Sequence, residues 1–545
     1  MKMIAIRCAA LAALMVLGCS QKRFDREALS VSRGLDLDGR IGQMLMVAIP
    51  GSAMNTEAEK ILERYRPGGV ILFGYNLSKK EDNRKFIAGL QDTSLRHAGT
   101  PLFVSIDQEG GRVVRVVSGV TQFPGNMAAG IADNTRLAYR WGRALGLQLR
   151  ETGINMNLAP VLDVNNNPHN PVINTRSFGA DPRLVAKLGA AYIRGLQDSR
   201  CIAVGKHFPG HGDTNQDSHL TLPVIRYGLD RLERVELVPF RKAVRSGVEG
   251  IMTAHIAFPE ILGTNDPATV SPELLSVMLR GDLGFRGLVI TDDMEMHAIS
   301  RRQEMGEAAV RSVLAGADII LMSSHGATIG IIRDAMRRAV KEKRITPERI
   351  NESVARIMET KMRYDIASPV DGGQPREAFI LTRGDRRALY RAQEVNERLS
   401  RRGVLYYGDL SFLDSGAGRT RIFVTKSPVL RKELARNEMN VILDDFDSFR
   451  GYRTRDGGDA VLYLHLSRPE VGLLRNAASY CTARGVPLVM VSSGNPFPLT
   501  TAGLVRAGLV SFSDTEESLR QLGRCLNGEF SPAGGGAALL GIEDR

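Results

Sequence analysis

The residues of this chain that could do chemistry are concentrated in one short segment, between Lys206 and His219. The segment reads KHFPGHGDTNQDSH and holds three of the nine histidines of the 545-residue chain. Two aspartates, Asp213 and Asp217, lie among these histidines. Imidazole and carboxylate groups placed side by side are the usual components of acid–base sites and of metal sites. The composition of the segment therefore predicts a functional loop.

The spacing within this loop favours acid–base chemistry over metal binding. Asp217 and His219 are two residues apart, so their side chains point to the same side of an extended segment. A carboxylate beside an imidazole fixes its tautomer and raises its pKa toward the working range, as in hydrolase triads. His207 and His211 have the spacing of a helical zinc site, but a Pro-Gly pair between them interrupts any helix. Zinc binding is one alternative, and an Asp217–His219 pair that only fixes the loop is another.

Polar residues also follow three other apolar runs of the chain. Asp107 begins the segment DQEGGR after one run, with Arg115 beyond it, and a long loop containing Arg176 follows the next run. Asp292 and Asp293 come directly after a further run. An aspartate at such a strand end, with a separate proton donor, suits a double displacement through a covalent glycosyl intermediate. Asp293 is expected to point to the opposite side and to form local hydrogen bonds.

The elements that must position these residues alternate between strands and helices from residue 40 to 365. Short apolar runs, which suit strands buried on both faces of a parallel sheet, are separated by amphipathic segments such as Arg136–Thr152 and Pro182–Leu196. Eight such units fit a (β/α)₈ barrel, in which the carboxyl ends of all strands meet on one face; a doubly wound sheet is the alternative. The predicted strands are Met44–Ala48, Val70–Phe73, Leu102–Ile106, Ile154–Leu158, Ile202–Gly205, Gly250–Ala254, Leu288–Thr291 and Asp318–Met322.

A second series of strands follows a polar, charged stretch at 366–400, which predicts a linker with a basic helical segment. Beyond it, apolar runs alternate with helical segments such as Pro469–Arg484 and Glu516–Leu526. This alternation predicts a smaller α/β sandwich domain over 401–545. The predicted strands of this domain are Val404–Tyr407, Ile422–Val424, Val441–Leu443, Ala460–Leu464, Leu488–Val491 and Leu509–Phe512.

The composition of the chain excludes several classes of protein. Hydrophobic residues make up 43% and charged residues 24%, which excludes wholesale disorder, collagen and coiled coil. Five cysteines exclude a disulfide scaffold, and Cys201, Cys481 and Cys525 are expected to be buried or free thiols. The formal net charge is +12, but no dense basic tract is interleaved with aromatic residues. No nucleic-acid partner is therefore predicted.

The first twenty residues predict export and lipid anchoring. Two basic residues precede the apolar run Cys8–Leu17, which is too short to span a bilayer and has the length of a signal-peptide core. The run leads into VLGCS, which resembles a bacterial lipobox with cleavage before Cys19. This resemblance implies a signal peptide over 1–18, a tether over 19–39, and acyl chains on Cys19 that anchor the protein to a membrane. Plain secretion with an incidental cysteine, and an uncleaved anchor, are the alternatives.

Five motifs within residues 40–365 occur in the order found in a known family. The segment KHFPGHGDT with the following Asp217-Ser218-His219 is the most specific of them. The others are DQEGGRV from 107, RSFG from 176, MTAH from 252 and TDDM from 291. Together they resemble bacterial β-N-acetylglucosaminidases of glycoside hydrolase family 3. The resemblance implies a catalytic (β/α)₈ barrel over 40–365 followed by an α/β sandwich.

The resemblance also implies a role for each matching residue. Asp292 matches the nucleophile, His219 the general acid and then general base, and Asp217 the residue that orients His219. Positions that bind hydroxyls of the terminal sugar are matched by Asp107, Arg115, Arg176, Lys206 and His207. For Arg176 and Asp107, a purely structural ion pair is the alternative. No metal or organic cofactor is implied.

The expected activity is that of a retaining exo-β-N-acetylglucosaminidase acting on terminal β-linked GlcNAc of peptidoglycan fragments or other glycans. A phosphorylase is an alternative, because a neutral imidazole repels phosphate less than a carboxylate does. A β-glucosidase of the family and a non-catalytic glycan-binding lipoprotein are others, although family β-glucosidases take their acid–base glutamate from the second domain. Many family members of this type are single-domain cytoplasmic enzymes, whereas this chain is expected in the cell envelope. Its position there is expected to be the periplasmic face of an outer membrane where one exists, and no oligomeric state is predicted.

Overall fold

The eight apolar runs of the first segment form a closed parallel barrel. The computed structural model describes residues 30–216, 221–296, 305–366, 381–408, 420–452, 460–468, 470–497 and 507–533. The barrel strands are β1 (Leu45–Ala48), β2 (Gly69–Leu72), β3 (Phe103–Ile106), β4 (Met156–Asn157), β5 (Ile202–Phe208), β6 (Gly250–Thr253), β7 (Leu288–Ile290) and β8 (Ile320–Met322). They pair in the order β7-β6-β5-β4-β3-β2-β1-β8, and Ile290 bridges Ile319 in parallel to close the sheet. The prediction of a barrel is confirmed, and the doubly wound alternative is wrong.

Burial explains why the strands could be identified as continuous apolar runs. Every residue of β1 to β8 is buried, because side chains on one face fill the barrel and those on the other contact the helices. The surrounding helices are Leu37–Gln43, Thr56–Tyr65, Lys80–Ala98, Asn126–Ala132, Thr135–Thr152, Pro182–Asp198, Leu229–Arg234, Leu237–Arg245, Pro259–Leu262, Met305–Ala315, Ala327–Lys341 and Pro347–Arg363, with a π-type helix at Glu273–Asp282 and 3₁₀ turns at Gly74–Asn76, Asn174–Arg176 and Ala268–Val270.

The predicted linker is helical and packs against the barrel wherever the structure describes it. Its described part forms the helices Arg383–Tyr390 and Ala392–Arg402. Three side chains of the second helix, Ala392, Val395 and Leu399, are buried within the hydrophobic core of the barrel domain. Their spacing places them on one face of the helix. The stretch therefore extends the outer helical layer of the barrel.

The second domain is the predicted α/β sandwich. Its strands are β9 (Leu405–Gly408), β10 (Thr420–Val424), β11 (Asn440–Leu443), β12 (Ala460–Leu466), β13 (Leu488–Ser492) and β14 (Ala507–Val510), and its helices are Pro428–Leu434, Phe446–Gly451, Val471–Arg484 and Glu516–Leu526. The sheet order is β11-β10-β12-β13-β14-β9, with only β9 antiparallel to its neighbour. Val461 and Tyr463 of β12 pack on one side of the sheet, and Leu462 and Leu464 pack on the other. This alternation buries both faces of the sheet.

A small apolar cluster joins the two domains. Met127 and Ile131, from the barrel helix Asn126–Ala132, pack with residues of the second domain, namely Leu405, Phe497, Val510 and Phe512. The described cysteines Cys201, Cys481 and Cys525 are buried free thiols, as expected. Within the described ranges, no helix combines the length and apolar character needed to cross a bilayer. The tail expected to be loose begins with Ala533, which bridges Leu405, and its remainder lies outside the described residues.

Lys361 is a fully buried cation near the amino-terminal ends of the barrel strands. Its Nζ donates a hydrogen bond to Gln43 Oε1 at 2.8 Å and lies 5.1 Å from the ring centroid of Phe103. No carboxylate among the described residues forms a salt bridge with it. Burial lowers the pKa of Lys361 to about 7. The folded barrel therefore holds this lysine largely neutral above neutral pH.

We expect the free energy of unfolding of the barrel to rise by about 2 kcal/mol between pH 7 and pH 9. In this range the unfolded lysine, with a pKa of about 10.4, binds a proton that the folded lysine has released, so stability increases with pH. Urea unfolding followed by the fluorescence of Trp141, the only tryptophan and a buried barrel residue, measures the effect. Lys361→Met should remove most of the rise, whereas Lys341→Met at an exposed position should keep it. Equal slopes in the two variants would contradict the assignment.

Candidate active site

Six of the predicted site residues line one cavity at the carboxyl ends of the barrel strands. This barrel cavity has a volume of about 270 Å³. The predicted residues that line it are Asp107, Arg115, Arg176, Lys206, His207 and Asp292, and apolar side chains of Ile71, Leu158, Met252 and Leu321 complete much of its wall. The volume lies just below the range of about 300–1,000 Å³ typical of drug-sized ligands. The cavity therefore suits a small ligand such as one sugar ring.

Glu109 is the centre of the charged cluster in this cavity. Its carboxylate accepts hydrogen bonds from Arg176 Nε at 2.9 Å and Nη2 at 2.8 Å, and lies 2.8 Å from Lys206 Nζ. Lys206 Nζ also donates to Asp107 Oδ1 at 2.6 Å. Although burial opposes its ionisation, the charges of Arg176 and Lys206 hold the pKa of Glu109 well below its usual range. The structural ion pair considered for Arg176 thus exists, but its partner is Glu109 and not Asp107.

Two groups of this cluster remain available to a ligand. The Asp107 side chain is 18% exposed, compared with 2% for the Glu109 side chain, so Asp107 is the carboxylate that reaches the open part of the barrel cavity. Arg115 lines the same cavity, and its Nε is buried without a hydrogen-bond partner among the described residues. A buried donor without a partner is costly, and a ligand hydroxyl would satisfy it. These groups can therefore bind sugar hydroxyls.

Asp163 fixes the start of the acid–base loop. Its Oδ2 lies 2.7 Å from His207 Nδ1, and its Oδ1 accepts hydrogen bonds from the backbone amides of His207 and His211. Burial acts against ionisation of Asp163, but the neighbouring histidines hold its pKa below its usual value. This arrangement sets the ring orientation of His207 and leaves Nε2 as the nitrogen that can contact a ligand.

The two histidines of the possible zinc motif are bound to protein groups. His207 uses Nδ1 for Asp163, and His211 Nδ1 lies 3.0 Å from the hydroxyl of Thr214. Burial and the proximity of His207 lower the pKa of His211 to about 4, so His211 is neutral over the ordinary pH range. No group of three or more His, Cys, Asp or Glu side chains suited to a metal ion occurs in the described part of the chain.

Asp292 follows β7 and is held as a carboxylate. Burial would raise its pKa, but the charges of His207, His255 and Lys206 and a hydrogen bond from the backbone amide of Asp293 hold the pKa below its usual value. Asp293 forms local hydrogen bonds, as expected, because its carboxylate accepts from the backbone amides of Glu295 and Ser323. An ionised, buried carboxylate in a small cavity is the arrangement that a nucleophile needs.

The end of β5 differs from the prediction, which placed Lys206 and His207 in a loop. The strand extends to Phe208 because the segment after β4 supplies hydrogen-bond partners. Lys206 N donates to Pro160 O, and Leu162 N donates to Lys206 O. The two residues that bind Glu109 and Asp163 are therefore held by strand pairing.

Arg112 lies where the second domain approaches the barrel cavity. Its Nη1 donates to Asn174 Oδ1 at 2.6 Å. Burial and the nearby charge of Arg176 lower the pKa of Arg112, and the carboxylates of Glu109 and Asp514 act in the opposite direction. Asp514 follows β14, so the second domain contributes charge near the site.

The remaining predicted site residues, Asp217, His219 and Cys19, lie outside the described residues, and their roles stay predictions. Sequence reasoning missed Glu109 and Asp163. Glu109 is two residues from Asp107, the same alternation that pairs Asp217 with His219, so a signal for it was present. Asp163 lacked a comparable signal because its partners are more than forty residues away in the chain.

Comparisons with known proteins agree with this geometry. A model of the glycosyl hydrolase family 3 N terminal domain matches residues 36–360. A β-hexosaminidase A from Pseudoalteromonas piscicida is 35% identical over 342 residues, which are 58% of this chain and 57% of that protein. The chain thus spans little more than half the length of this relative. A β-hexosaminidase from Tolumonas auensis is 34% identical over 296 residues, 54% of this chain and 86% of that protein.

One solved structure resembles the chain over both domains. It is a glycoside hydrolase family 3 β-N-acetylglucosaminidase from Paenibacillus sp. str. FPU-7, with a TM-score of 0.79 and 33% sequence identity. The match covers 92% of this chain and 99% of that one. The order of a barrel followed by an α/β sandwich is therefore shared with this protein.

Proposed function

Because the chain belongs to glycosyl hydrolase family 3, we propose that it is a retaining exo-β-N-acetylglucosaminidase. Its substrates would be peptidoglycan fragments or other glycans that end in β-linked GlcNAc. The observation that carries the proposal is the ionised carboxylate of Asp292 in a cavity sized for one sugar ring. The names of the β-hexosaminidase and β-N-acetylglucosaminidase relatives support the choice of an N-acetylated sugar.

In the proposed mechanism, Asp292 attacks the anomeric carbon and forms a glycosyl ester. His219, oriented by Asp217, donates a proton to the glycosidic oxygen as the bond to the leaving group breaks. The same histidine then removes a proton from the water that hydrolyses the ester, and Asp292 leaves as a carboxylate. The negative charge of Asp292 also stabilises the positive charge that develops on the sugar in both steps.

Recognition of the terminal sugar is assigned to the charged cluster. Asp107 and Lys206 offer an acceptor and a donor beside each other, and Arg115 offers an unpartnered donor. Charge-assisted hydrogen bonds of this kind give directional binding of hydroxyl groups. The small volume of the barrel cavity supports removal of a single terminal residue.

Turnover of aryl glycosides tests this proposal. We expect the chain to hydrolyse an aryl β-GlcNAc at a much higher kcat/KM than an aryl β-glucoside, with the same products in the presence and absence of phosphate. A preference for the glucoside would contradict the choice of substrate. Formation of a sugar 1-phosphate would replace hydrolysis with phosphorolysis, and an absence of turnover with any aryl glycoside would remove the assignment as an enzyme.

Anchoring through Cys19 is a further part of the proposal. VLGCS after a short apolar run supports cleavage before Cys19 and acylation of this residue. We expect the protein in the membrane fraction, labelled by radioactive palmitate. Cys19→Ser should remove the label and the normal processing, whereas Cys201→Ser should change neither. Labelling that survives Cys19→Ser would contradict the anchor.

A further inference from the structure

A second cavity lies on the outside of the barrel, away from the residues that line the barrel cavity. It has a volume of about 340 Å³ and lies between helix Thr135–Thr152 and the two helices of the predicted linker. Five arginines line it: Arg136, Arg140, Arg143, Arg387 and Arg391. We call this site the arginine pocket. It shares no lining residue with the barrel cavity.

Only two carboxylates accompany these five arginines. Arg143 Nη2 lies 3.0 Å from Asp385 Oδ1, and Arg391 Nε lies 3.8 Å from Glu394, which also pairs with Arg398 outside the pocket. The other three lining arginines, Arg136, Arg140 and Arg387, form no salt bridge with any residue that the structure describes. The arginine pocket therefore carries an excess of positive charge.

The local arrangement keeps the guanidinium groups together despite their repulsion. Burial lowers the pKa of Arg140, and the nearby charges of Arg136, Arg398 and Arg391 lower it further. Arg143 Nε is buried without a hydrogen-bond partner among the described residues. Gly384 lines the same pocket, and a Cβ at this position would lie 3.4 Å from Arg143 Nη2. The pocket thus places unsatisfied donors and repelling cations around a space that a ligand can enter.

An anion would relieve both the repulsion and the missing hydrogen bonds. Guanidinium groups bind phosphate through two parallel N–H···O bonds, and a phosphate monoester brings up to two negative charges and three oxygens. A single carboxylate would neutralise less of the excess charge. We propose that the arginine pocket binds a phosphate group.

The surroundings of the pocket suggest where such a group would come from. Tyr390, next to Arg391, is 89% exposed. Exposed tyrosine beside arginine is typical of protein surfaces that contact the headgroup region of a membrane. The phosphate of a lipid headgroup and free phosphate share the same recognition chemistry, so both are tested.

The test uses the chain from Ser20 onward, which carries no acyl anchor. Calorimetric titration at constant ionic strength measures binding of inorganic phosphate and pyrophosphate. Cosedimentation with vesicles of phosphatidylglycerol and phosphatidylcholine, and with phosphatidylcholine alone, measures binding to a lipid headgroup. The pocket variant is Arg140→Gln/Arg387→Gln, which removes two unpaired cations. The control Arg84→Gln/Arg194→Gln removes the same charge from exposed positions elsewhere.

The pocket variant should lose at least tenfold in affinity, while the control keeps wild-type affinity. Loss in the calorimetric arm identifies a free phosphate ligand, and loss confined to anionic vesicles identifies a lipid headgroup. The pocket variant should also unfold at a temperature no lower than wild type without phosphate, because it relieves repulsion. Activity on aryl glycosides should stay unchanged in both variants, so this outcome is independent of the proposed function. Equal affinities of pocket and control variants in both arms would overturn the proposal.

Discussion

Asp292→Ala should lower kcat on an aryl β-GlcNAc by about 10⁴-fold or more, since loss of a nucleophile has cost about 10⁶ in another hydrolase. Without this carboxylate no glycosyl ester can form, and the positive charge that develops on the sugar is not stabilised. Asp292 is particularly suited to this step because three cations or potential cations, His207, His255 and Lys206, favour its ionised form. Steady-state kinetics with purified protein measures the loss.

Two further measurements separate a nucleophile from a residue that only shapes the cavity. Azide added to Asp292→Ala should restore turnover and give an α-glycosyl azide, because the small anion attacks from the side that the carboxylate has vacated. A slow fluorinated GlcNAc substrate should label wild type on the peptide that contains Asp292, as detected by mass spectrometry. Asp293→Asn is the matched control and should retain the ability to be labelled. A label on a different carboxylate would contradict the assignment.

The barrel and the position of its site could be predicted because each depends on a local pattern. Strands buried on both faces, such as β3 and β7, must be apolar throughout, and the residue that follows each strand must lie on the common carboxyl face. This is why Asp107 and Asp292 were identified correctly. The helical packing of the linker also had a signal, since Ala392, Val395 and Leu399 have helical spacing within a polar stretch.

Pairing between charged residues could not be predicted in the same way. Asp107 and Glu109 lie on the same side of the chain, and both are carboxylates, so spacing alone does not choose which of them pairs with Arg176. The structure makes the choice through depth, because Glu109 is almost fully buried and Asp107 is partly exposed. The deeper carboxylate takes the bidentate arginine, and the shallower one stays available to a ligand.

This division of roles makes Glu109 the most important structural residue of the site. Glu109→Gln should destabilise the barrel by about 3–5 kcal/mol, the usual cost of removing one partner from a buried ion pair. Lys206 would keep Asp107 as a partner, but Arg176, whose side chain is only 14% exposed, would lose both of its charge-assisted bonds to a carboxylate. Guanidinium unfolding followed by Trp141 fluorescence reports the barrel specifically. KM for an aryl β-GlcNAc should rise as well, because Lys206 would move from its position beside Asp107.

A double-mutant cycle distinguishes loss of this pair from general disruption. Arg176→Met removes the unpaired charge that Glu109→Gln leaves behind, so the double variant should lose less stability than the sum of the single variants, with a coupling of about 0.5–3 kcal/mol. The exposed pair of Lys187 and Asp133, 2.7 Å apart, is the matched control, and Asp133→Asn should cost no more than about 1 kcal/mol. Additive effects of the two buried substitutions, or a Glu109→Gln variant as stable as Asp133→Asn, would mean that the buried cluster does not hold Arg176 in place. In that case Asp107, and not Glu109, would be the carboxylate that organises the barrel cavity.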